Sequence, residues 1–273
     1  MTGAQAKLAT RHLCKSYRKN HTSVDVLRDI SIDVADGEFV SIVGASGCGK
    51  TTFLRLLDGL IPATSGSVLI DGKVTDKPGS EIAFVFQQDG LLPWRTVIDN
   101  VVLGPEIQGG RRRKYRSLAA DILKLVGLSG FESHYPHELS GGMRQRVNIA
   151  RALAVNADVL LMDEPFAALD AQTRVIMQAE LMRICNETGK TVLFVTHQID
   201  EAVYLSDRVL IFTARPGRLK EDVSIDLPRP RRLDVKWSPE FVGHTNHIWS
   251  SIEEEVRASI GLEMQNLAGP DRQ

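Results

Sequence analysis

The stretch GASGCGKTT, residues 44–52, is the first part of the sequence whose residue types and spacing could do chemistry. It fits the pattern G-x-x-x-x-G-K-[ST], with Gly44, Gly49, Lys50 and Thr51 in the fixed positions. Glycines let main-chain N–H groups approach an anion closely, and a lysine places positive charge on the β- and γ-phosphates. The threonine hydroxyl is a hard oxygen ligand suited to Mg²⁺. The pattern predicts a site for a nucleoside triphosphate.

Every residue of this loop is a candidate nucleotide contact: Gly44, Ala45, Ser46, Gly47, Cys48, Gly49, Lys50, Thr51 and Thr52. The loop lies between an apolar run, EFVSIV, and a segment with a helical pattern, TTFLRLLDGL. The N-terminus of that helix would add its positive end to the site. By itself the loop does not separate a kinase, a GTPase, a helicase and a transporter.

A second polar group, Asp163 and Glu164, ends the apolar run VLLM. An acid at that position can hold the water shell of Mg²⁺, and the next carboxylate can polarise an attacking water as a general base. An acidic pair that only caps a strand is the alternative. It is the weaker explanation because a phosphate loop is present that needs both roles.

A third group, LSGGMRQR, precedes a predicted helix and offers Ser140, Gly141 and Gly142. Such a backbone can also approach phosphate at a helix N-terminus. Because one chain already has one phosphate loop, a second one makes sense if it serves a nucleotide held by another copy. We therefore predict that the nucleotide lies between two chains.

Strands and helices that alternate along the chain must position these three polar groups. The runs VLRDISIDV, EFVSIVG, GSVLIDG and IAFVF predict strands, and so do DVLLMD, TVLFVTH and RVLIFT. Between them, from about Thr96 to Ala154, the periodicity is helical. Buried parallel strands that end in polar residues predict an α/β core with ligands at the carboxyl ends of the strands.

Composition limits the class of protein. The chain has 273 residues, 43% of them hydrophobic and 25% charged, as in ordinary globular proteins. Its net charge of −1 gives no broad attraction to nucleic acid, so no nucleic-acid partner is expected. No apolar run approaches the roughly 20 residues that span a bilayer, and the first residues lack the apolar run of a signal peptide. The three cysteines are too scattered for a disulfide framework or a zinc site, and they fit a reducing cytosol.

Three features keep two interpretations each. Cys48 could be an oxidation-sensitive switch, or simply a small residue that fits the loop. The run RRRK, residues 111–114, could bind phosphate, although a solvated helix face is the simpler explanation. The arginine cluster from Arg229 to Arg232 could be a family feature or a solvated tail.

Together, Tyr17, GASGCGKTT, FVFQQ, LSGGMRQR, LLMDEP, ALD and VTHQIDEA resemble the ATP-binding subunit of ABC transporters along nearly the whole chain. The resemblance implies a P-loop NTPase (RecA-like) α/β core with an N-terminal antiparallel β subdomain and an inserted α-helical subdomain. It predicts an ATP-binding domain over residues 1–230, with the helical part at about 88–155. A C-terminal extension, expected to be helical, covers residues 231–273.

The resemblance also implies roles for matching positions. Tyr17 would stack on adenine, and Gln87 would coordinate Mg²⁺ and sense a membrane partner. Ser140 and Gly142 would contact the γ-phosphate across a head-to-tail dimer.

Two further positions follow the family pattern. Asp170 would lie in a loop that links the two sites, and His197 would contact the γ-phosphate and couple them. The family often has Ser then Thr after the lysine, whereas this chain has Thr51 and Thr52. Threonine keeps the hydroxyl, so the metal role stands.

The expected catalytic residues are therefore Glu164, His197 and Gln87, and the expected metal ligands are Thr51, Gln87 and Asp163. The cofactors are ATP and Mg²⁺, and the activity is ATP hydrolysis coupled to transport. The expected partners are a second copy or another ATPase subunit, integral membrane permease subunits and a periplasmic or extracellular solute-binding protein. The expected location is peripheral, on the cytoplasmic face of the membrane.

Within the superfamily, LLPWRTVIDNV, FVTHQIDEAVYLSDRV, ARPGR and DLPRPRR look like the nitrate/sulfonate/taurine uptake group. Apolar residues Leu91, Leu92 and Trp94 are expected to dock on the permease, unless they fill the core of the insertion. An ABC exporter subunit shares every catalytic motif and remains an alternative. A soluble non-transport ABC ATPase is less favoured because the chain has no sustained heptad run and one phosphate loop, and a GTPase would need an N-K-x-D motif.

Overall fold

The structure, a computed structural model, describes residues 6–19 and 22–267. The chain forms two compact units, one made of Met1–Lys77 with Phe194–Gln273 and the other of Pro78–Leu193. The division at residue 230 that the sequence suggested stays a prediction. Residues 268–273 of the expected C-terminal extension lie outside the described residues.

An antiparallel sheet forms part of the first unit. Its strand order is β2-β1-β4-β5. The strands are β1 (Leu8–Lys19), β2 (Thr22–Val34), β4 (Ser65–Ile70) and β5 (Lys73–Thr75). Leu8 pairs with Val34 on one side and with Ile70 on the other, so β1 lies between β2 and β4. Neither β1 nor β5 was expected from the apolar pattern, because β1 carries polar residues along much of its length and β5 has three residues.

The first unit also holds parallel strands that lead to the phosphate loop. Strand β3 (Phe39–Gly44) pairs in parallel with β9 (Arg208–Phe212), and β10 (Leu219–Ser224) pairs with β9 in antiparallel fashion. Residues 39–43 of β3 are all buried, as its mostly apolar sequence predicts. The helices of this unit are α1 (Lys50–Leu57), α7 (Ile199–Leu205) and α8 (Pro239–Leu267).

The second unit contains the expected helices. Strand β6 (Ile82–Val85) pairs in parallel with β7 (Val159–Asp163), and strand β8 (Thr191–Val195) crosses the boundary between the units. The helices are α2 (Val97–Val101), α3 (Leu103–Ile107), α4 (Arg112–Leu125), α5 (Gly141–Leu153) and α6 (Ala171–Thr188). Short 3₁₀ helices cover Pro136–Glu138 here and Leu233–Trp237 in the first unit.

Local sequence explains where the functional helices begin and end. Ser140 and Asp170 are the N-caps of α5 and α6, and each side chain accepts a hydrogen bond from the backbone N–H three residues later in the chain. Helix α6 ends at Gly189, which has a φ of 62°. Glycine adopts that left-handed conformation without the steric cost of a Cβ. The caps therefore fix the helix starts at which the LSGG motif and Asp170 lie.

In the segment from Leu91 to Asn100 the helix starts at Val97, which agrees with the helical periodicity expected from about Thr96. Leu91 is buried, so it belongs to the core of this unit and not to an exposed docking surface. Trp94 is 72% exposed, as a docking residue must be. The run of residues 111–114 is exposed at the start of α4, which agrees with a solvated helix face.

Helix α8 is 29 residues long. Across the described ranges, no helix combines the length and the apolar character needed to cross a bilayer.

Candidate functional site

The phosphate loop joins β3 to α1. Gly44, Gly47 and Gly49 have φ values of 156°, 70° and 107°, which residues with a Cβ rarely adopt. A Cβ on Gly49 would also lie 2.8 Å from Leu27 Cδ2. The loop therefore depends on glycine both for its backbone angles and for the close approach of β2.

Lys50, the first residue of α1, folds back over this loop. Its Nζ donates to the carbonyl oxygens of Gly44 at 2.8 Å and Ala45 at 3.1 Å, and the residue is 8% exposed. Ser46 and Gly47, by contrast, are exposed at the tip. The ammonium group is thus held by the carbonyl oxygens of the loop itself.

Cys48 lies inside the loop and is 1% exposed. Burial raises the pKa of its thiol above the ordinary value, although Lys50 opposes that shift. A raised pKa lowers the fraction of reactive thiolate at neutral pH. The structure therefore favours a packing role for Cys48 over an oxidation switch.

Thr51 and Thr52 follow Lys50 on α1 and are both partly exposed. Tyr17, on β1, is 45% exposed, and the Nζ of Lys15 lies 4.8 Å from its ring centroid. An exposed aromatic face suits stacking on a flat base.

His197 follows the last residue of β8 by two positions and is exposed. Its two neighbours are fixed. The Thr196 hydroxyl donates to Glu201 Oε2 at 2.7 Å and accepts the backbone N–H of Gln198 at 3.0 Å. Thr196 and Glu201 are 2% and 4% exposed, so this arrangement is buried although His197 itself is exposed.

In the second unit, the structure brings Gln87 and Glu164 together. Gln87 Nε2 donates to Glu164 Oε2 at 3.2 Å. Asp163, the last residue of β7, is 3% exposed, whereas Glu164 is partly exposed. Glu164 has a φ of 47°, in the left-handed region that a non-glycine residue occupies at a cost of about 1–3 kcal/mol. The backbone therefore turns sharply where β7 ends, so that Asp163 is buried and Glu164 is partly exposed.

Helix α5 holds the segment around Gln87, residues 86–90, which we call the Gln87 segment. Asn148, which is fully buried, donates from Nδ2 to the Phe86 carbonyl at 2.8 Å. Arg144 Nε donates to Asp89 Oδ2 at 2.9 Å. The helix that begins at the LSGG motif thus fixes the residues on both sides of Gln87.

The LSGG motif stands at the start of α5. The Ser140 hydroxyl accepts the Met143 N–H at 3.2 Å, and Ser140 and Gly141 are exposed. A Cβ on Gly142 would lie 3.4 Å from Leu169 Cδ2 and 3.5 Å from the Ala168 carbonyl. The motif therefore packs beside the loop that leads to Asp170.

Asp170 is exposed at the N-terminus of α6. Its carboxylate accepts the Thr173 hydroxyl at 2.6 Å and the Thr173 N–H at 3.0 Å. These bonds to Thr173 hold the pKa of Asp170 below its ordinary value. The carboxylate has a clear local role as a helix cap, in addition to the predicted linking role.

Sequence reasoning missed the polar residues that support the site. On α5 these are Arg144, Asn148 and Arg151, which recur at helical spacing on the side that meets the Gln87 segment. A polar stripe along a partly buried helix could have revealed them. The Thr196–Glu201 pair gave no such signal, since its two members lie on either side of a strand-to-helix turn.

The chain is similar in sequence to a known protein family. The sequence matches the protein-family profile described as "ABC transporter" over residues 27–167. The chain belongs to the ABC transporter family. It is 50% identical over 256 residues to an uncharacterized ABC transporter ATP-binding protein of Methanocaldococcus jannaschii, covering 94% of this chain and 95% of the other.

Relatives with stated solutes are similar over most of this ABC cassette. The taurine import ATP-binding protein TauB of Rhizobium johnstonii is 45% identical and shares 87% of this chain and 90% of its own. The nitrate import ATP-binding protein NrtC of Synechococcus elongatus is 43% identical over 85% of this chain, which corresponds to 36% of NrtC. The predicted resemblance to the nitrate and taurine group is confirmed.

A solved structure supports the same assignment. A dimeric ATP-binding cassette in a post-hydrolysis state, bound to ADP and Pi, has a TM-score of 0.73 and 34% identity, covering 81% of this chain and all of its own. The predicted P-loop NTPase fold class is therefore confirmed. The chain is an ATP-binding subunit of an ABC transporter and an ATPase.

Proposed function

We propose that this ABC ATPase hydrolyses ATP with Mg²⁺ to energise uptake of a small anion, such as taurine, another sulfonate or nitrate, through a membrane permease. The observation that carries the import assignment is the similarity to TauB over 87% of the chain. The motifs LLPWRTVIDN and DLPRPRR point to the same group. On this proposal the protein works at the cytoplasmic face of the membrane as a peripheral subunit.

Nucleotide binding is assigned to the first unit. The phosphate loop, residues 44–52, would surround the phosphates with backbone N–H groups, and Tyr17 would stack on adenine. Lys50 supports this role, because its ammonium rests on carbonyls of the loop and can turn to a phosphate without moving the backbone. Because the loop is already ordered, ATP binding does not have to supply the free energy of ordering it.

Hydrolysis is assigned to Glu164 as the general base. Its contact with Gln87 supports this role, because the amide orients the carboxylate and can report a change at that carboxylate to its own segment. The left-handed backbone at Glu164 is a local cost that a functional position can explain. His197 would contact the γ-phosphate from the first unit.

Mg²⁺ is assigned to Thr51, Gln87 and Asp163. These residues offer a hydroxyl, an amide carbonyl and a carboxylate, the hard oxygen donors that Mg²⁺ prefers. The almost complete burial of Asp163 fits a carboxylate whose charge a cation compensates. The ion would neutralise charge on the β- and γ-phosphate oxygens.

Ser140, Gly141 and Gly142 are assigned to the γ-phosphate of a partner copy, or of a second ATPase subunit. Ser140 and Gly141 are exposed and Gly142 is partly exposed at the N-terminus of an α-helix, which supports this role because an anion can approach the N–H groups there. The loop to Asp170, which packs beside Gly142, would link the two sites. A dimeric cassette is also found in the similar solved structure.

Mixed dimers test this composite arrangement. We expect Ser140→Arg to leave ATP binding to the monomer intact and to block hydrolysis at the site that uses the Lys50 of the other subunit. A dimer that carries Ser140→Arg in one subunit and Lys50→Ala in the other should keep one intact site. Damage confined to the site formed by the variant's own Lys50 would contradict the arrangement.

Docking on a permease is assigned to the surface around Trp94. The buried Asn100 side chain accepts the Leu92 N–H at 2.8 Å and donates to the carbonyls of Arg95 at 3.1 Å and Thr96 at 3.0 Å. This brace keeps the segment folded while the Trp94 ring stays exposed. A rigidly presented aromatic side chain is a common centre of a protein interface.

Trp94→Glu tests the docking assignment. We expect transport to be lost while ATP hydrolysis by the isolated subunit is unchanged. Ile107→Glu is the matched control, because Ile107 is 76% exposed in the same unit. Loss of isolated ATPase activity in Trp94→Glu would show a folding defect, and normal transport would refute the docking role.

The direction and the solute require the complete transporter. ATPase activity of the permease complex in membranes should rise when a taurine-, sulfonate- or nitrate-loaded binding protein is added at the outer face. The unloaded binding protein is the control. A rise caused by a lipid or drug from the inner side, with no binding protein, would overturn import in favour of an ABC exporter.

A further inference from the structure

The C-terminal extension is bound to the helix that follows His197. The segment Arg229–Trp237 runs along α7, and α8 packs against the same helix. Arg231 is 5% exposed, which excludes the interpretation of the arginine cluster as a solvated tail. All of these residues belong to the first unit.

Two arginines bind the C-terminal end of α7. Arg231 Nη1 donates to the carbonyls of Val203 at 3.1 Å, Tyr204 at 3.1 Å and Ser206 at 2.7 Å. Arg229 Nη2 donates to the Leu205 carbonyl at 2.9 Å. The last carbonyls of a helix lack partners within it and carry partial negative charge, so these cations stabilise the helix end.

Arg231 also joins α7 to the chain that follows β10. Its Nη2 donates to the carbonyls of Ile225 and Leu227, both at 3.3 Å. Burial, together with the charge of Arg229, lowers the pKa of Arg231 to about 10, so the group stays charged at neutral pH. A buried cation held by five carbonyls fixes the end of α7 relative to the extension.

Lys236 approaches α7 from the 3₁₀ helix that precedes α8. Its Nζ lies 4.6 Å from the Tyr204 ring centroid, in cation–π geometry. Asp200 and Glu201, in the first turn of α7, interact with it electrostatically and oppose the lowering of its pKa that burial causes. Lys236 therefore contacts α7 near its C-terminal end, at Tyr204, and interacts electrostatically with its acidic first turn.

Glu201 connects this contact to His197. Its carboxylate accepts the Thr196 hydroxyl, and the same hydroxyl accepts the Gln198 N–H. The residues on both sides of His197 are thus held by one buried pair. Lys236 packs on Tyr204, three residues after Glu201 on the same helix, and interacts electrostatically with Glu201. A shift of Glu201 would change the backbone on which His197 stands.

We propose that Lys236, in the C-terminal extension, is a positioning residue for His197 that acts through Glu201 and Thr196. The extension thereby sets how well the ATPase site is arranged for hydrolysis. This inference rests on the proposed function of His197 at the γ-phosphate. Lys236 itself touches neither nucleotide nor water in this proposal.

Lys236→Met tests the proposal because it keeps a long side chain and removes the charge. We expect kcat for ATP hydrolysis to fall about tenfold, because a misplaced catalytic group slows the reaction. We expect KM for ATP to stay within about twofold of the value for the unaltered protein. Lys236→Arg keeps the charge and the aromatic contact, so it should retain at least half of kcat. The ring resonances of His197 in the nucleotide-free protein should shift in Lys236→Met and not in Lys236→Arg.

Lys220→Met is the matched control. Lys220 donates to the Ser251 carbonyl and to Glu255 on α8, both at 2.9 Å, and so ties α8 to β10. We expect its melting temperature to fall about as much as that of Lys236→Met, with kcat and the His197 resonances unchanged. Equal losses of kcat in the two variants would show that the extension only stabilises the fold, and would overturn the proposal.

His197→Ala separates this proposal from the function on which it rests. If His197→Ala hydrolyses ATP at the normal rate, the proposed role of His197 is wrong. If His197→Ala is impaired and Lys236→Met is normal, the positioning role alone is wrong. When both are impaired, the double variant should be no slower than His197→Ala, because Lys236 acts only through that residue; additive losses would refute the proposal.

Discussion

The phosphate loop and the Gln87 segment are held in different ways. The loop takes its form from glycine backbone angles, and its lysine binds the loop's own carbonyls. The Gln87 segment depends instead on side chains of a neighbouring helix, among them Asn148 and Arg144. A backbone-defined loop has one conformation ready for a ligand, whereas a segment held by a few side-chain bonds can be released by a change in any of them.

This difference suits the proposed roles. A binding loop gains affinity from being formed in advance, because less ordering remains to be done when ATP arrives. A segment that must report the state of Glu164 needs two arrangements of similar energy. Of the four predictions below, three change one of these regions or a residue in contact with it, and the fourth changes Asp58, just after α1.

Glu164→Gln should have the largest effect, since it removes the proposed base and keeps the side-chain length. We expect hydrolysis to fall about 10²–10⁴-fold with ATP affinity preserved, and the protein to dimerise when ATP is present. Steady-state ATPase assays and light scattering measure these two results. Glu164→Gly relieves the left-handed backbone but also lacks the carboxylate, so it should be equally inactive; a normal rate in either variant would rule out Glu164 as the base.

Lys50→Ala should act on binding. Removing a buried charge that pairs with phosphate costs about 3 kcal/mol, so we expect ATP affinity to fall about a hundredfold in titration calorimetry. Lys73→Ala, at an exposed position on β5, is the control and should bind normally. Unchanged affinity in Lys50→Ala would show that the loop binds phosphate through its backbone alone.

Asn148→Leu should distinguish the two regions most clearly, because it changes the Gln87 segment and leaves the phosphate loop intact. It leaves the Phe86 carbonyl with a single longer bond, from Gln145 Nε2 at 3.4 Å, which should loosen the Gln87 segment. We expect kcat to fall about tenfold and the free energy of unfolding to fall about 1–3 kcal/mol, with ATP affinity unchanged.

The control for this variant is Asn100→Leu, which removes another fully buried amide of the same unit but one that braces the Trp94 segment. Its stability should fall by a similar amount while the isolated ATPase keeps its kcat. If the two variants lose kcat equally, the loss reflects general destabilisation and not the Gln87 segment.

Asp58→Asn should have the smallest effect. Asp58, just after α1, is 7% exposed, and burial raises the pKa of its carboxyl from 3.8 to about 6. The folded protein therefore binds this proton more tightly than the unfolded chain. Stability from this residue falls as pH rises from about 4 to 6, and the penalty is fully present above pH 6.

We expect Asp58→Asn to raise the free energy of unfolding by about 1–2 kcal/mol at pH 7.5 and by little at pH 4, as measured by urea denaturation. Asp76→Asn, at an exposed position in the same unit, is the control, and it should change the free energy of unfolding by about 0.5 kcal/mol or less. An equal change in the free energy of unfolding at both pH values would show that folding does not raise the pKa of Asp58.

The sequence by itself predicted the residues whose chemistry is local. Glycine spacing predicted the phosphate loop, because only glycine accepts φ values such as the 107° of Gly49. Mostly apolar runs predicted β3 and β7, because a strand that is buried on both faces does not alternate between apolar and polar residues. The ends of those strands then located Lys50 and Asp163.

Only the tertiary structure decided which polar side chains support the site. Asn148 and Phe86 are 62 residues apart, and the Arg231 guanidinium binds carbonyls 25 to 28 residues before it. No local pattern reports such contacts, because a carbonyl acceptor is present at every residue and the fold alone selects the one used. For the same reason the sequence could not separate Leu91, which is buried, from Trp94, which is exposed, although both are apolar and three residues apart.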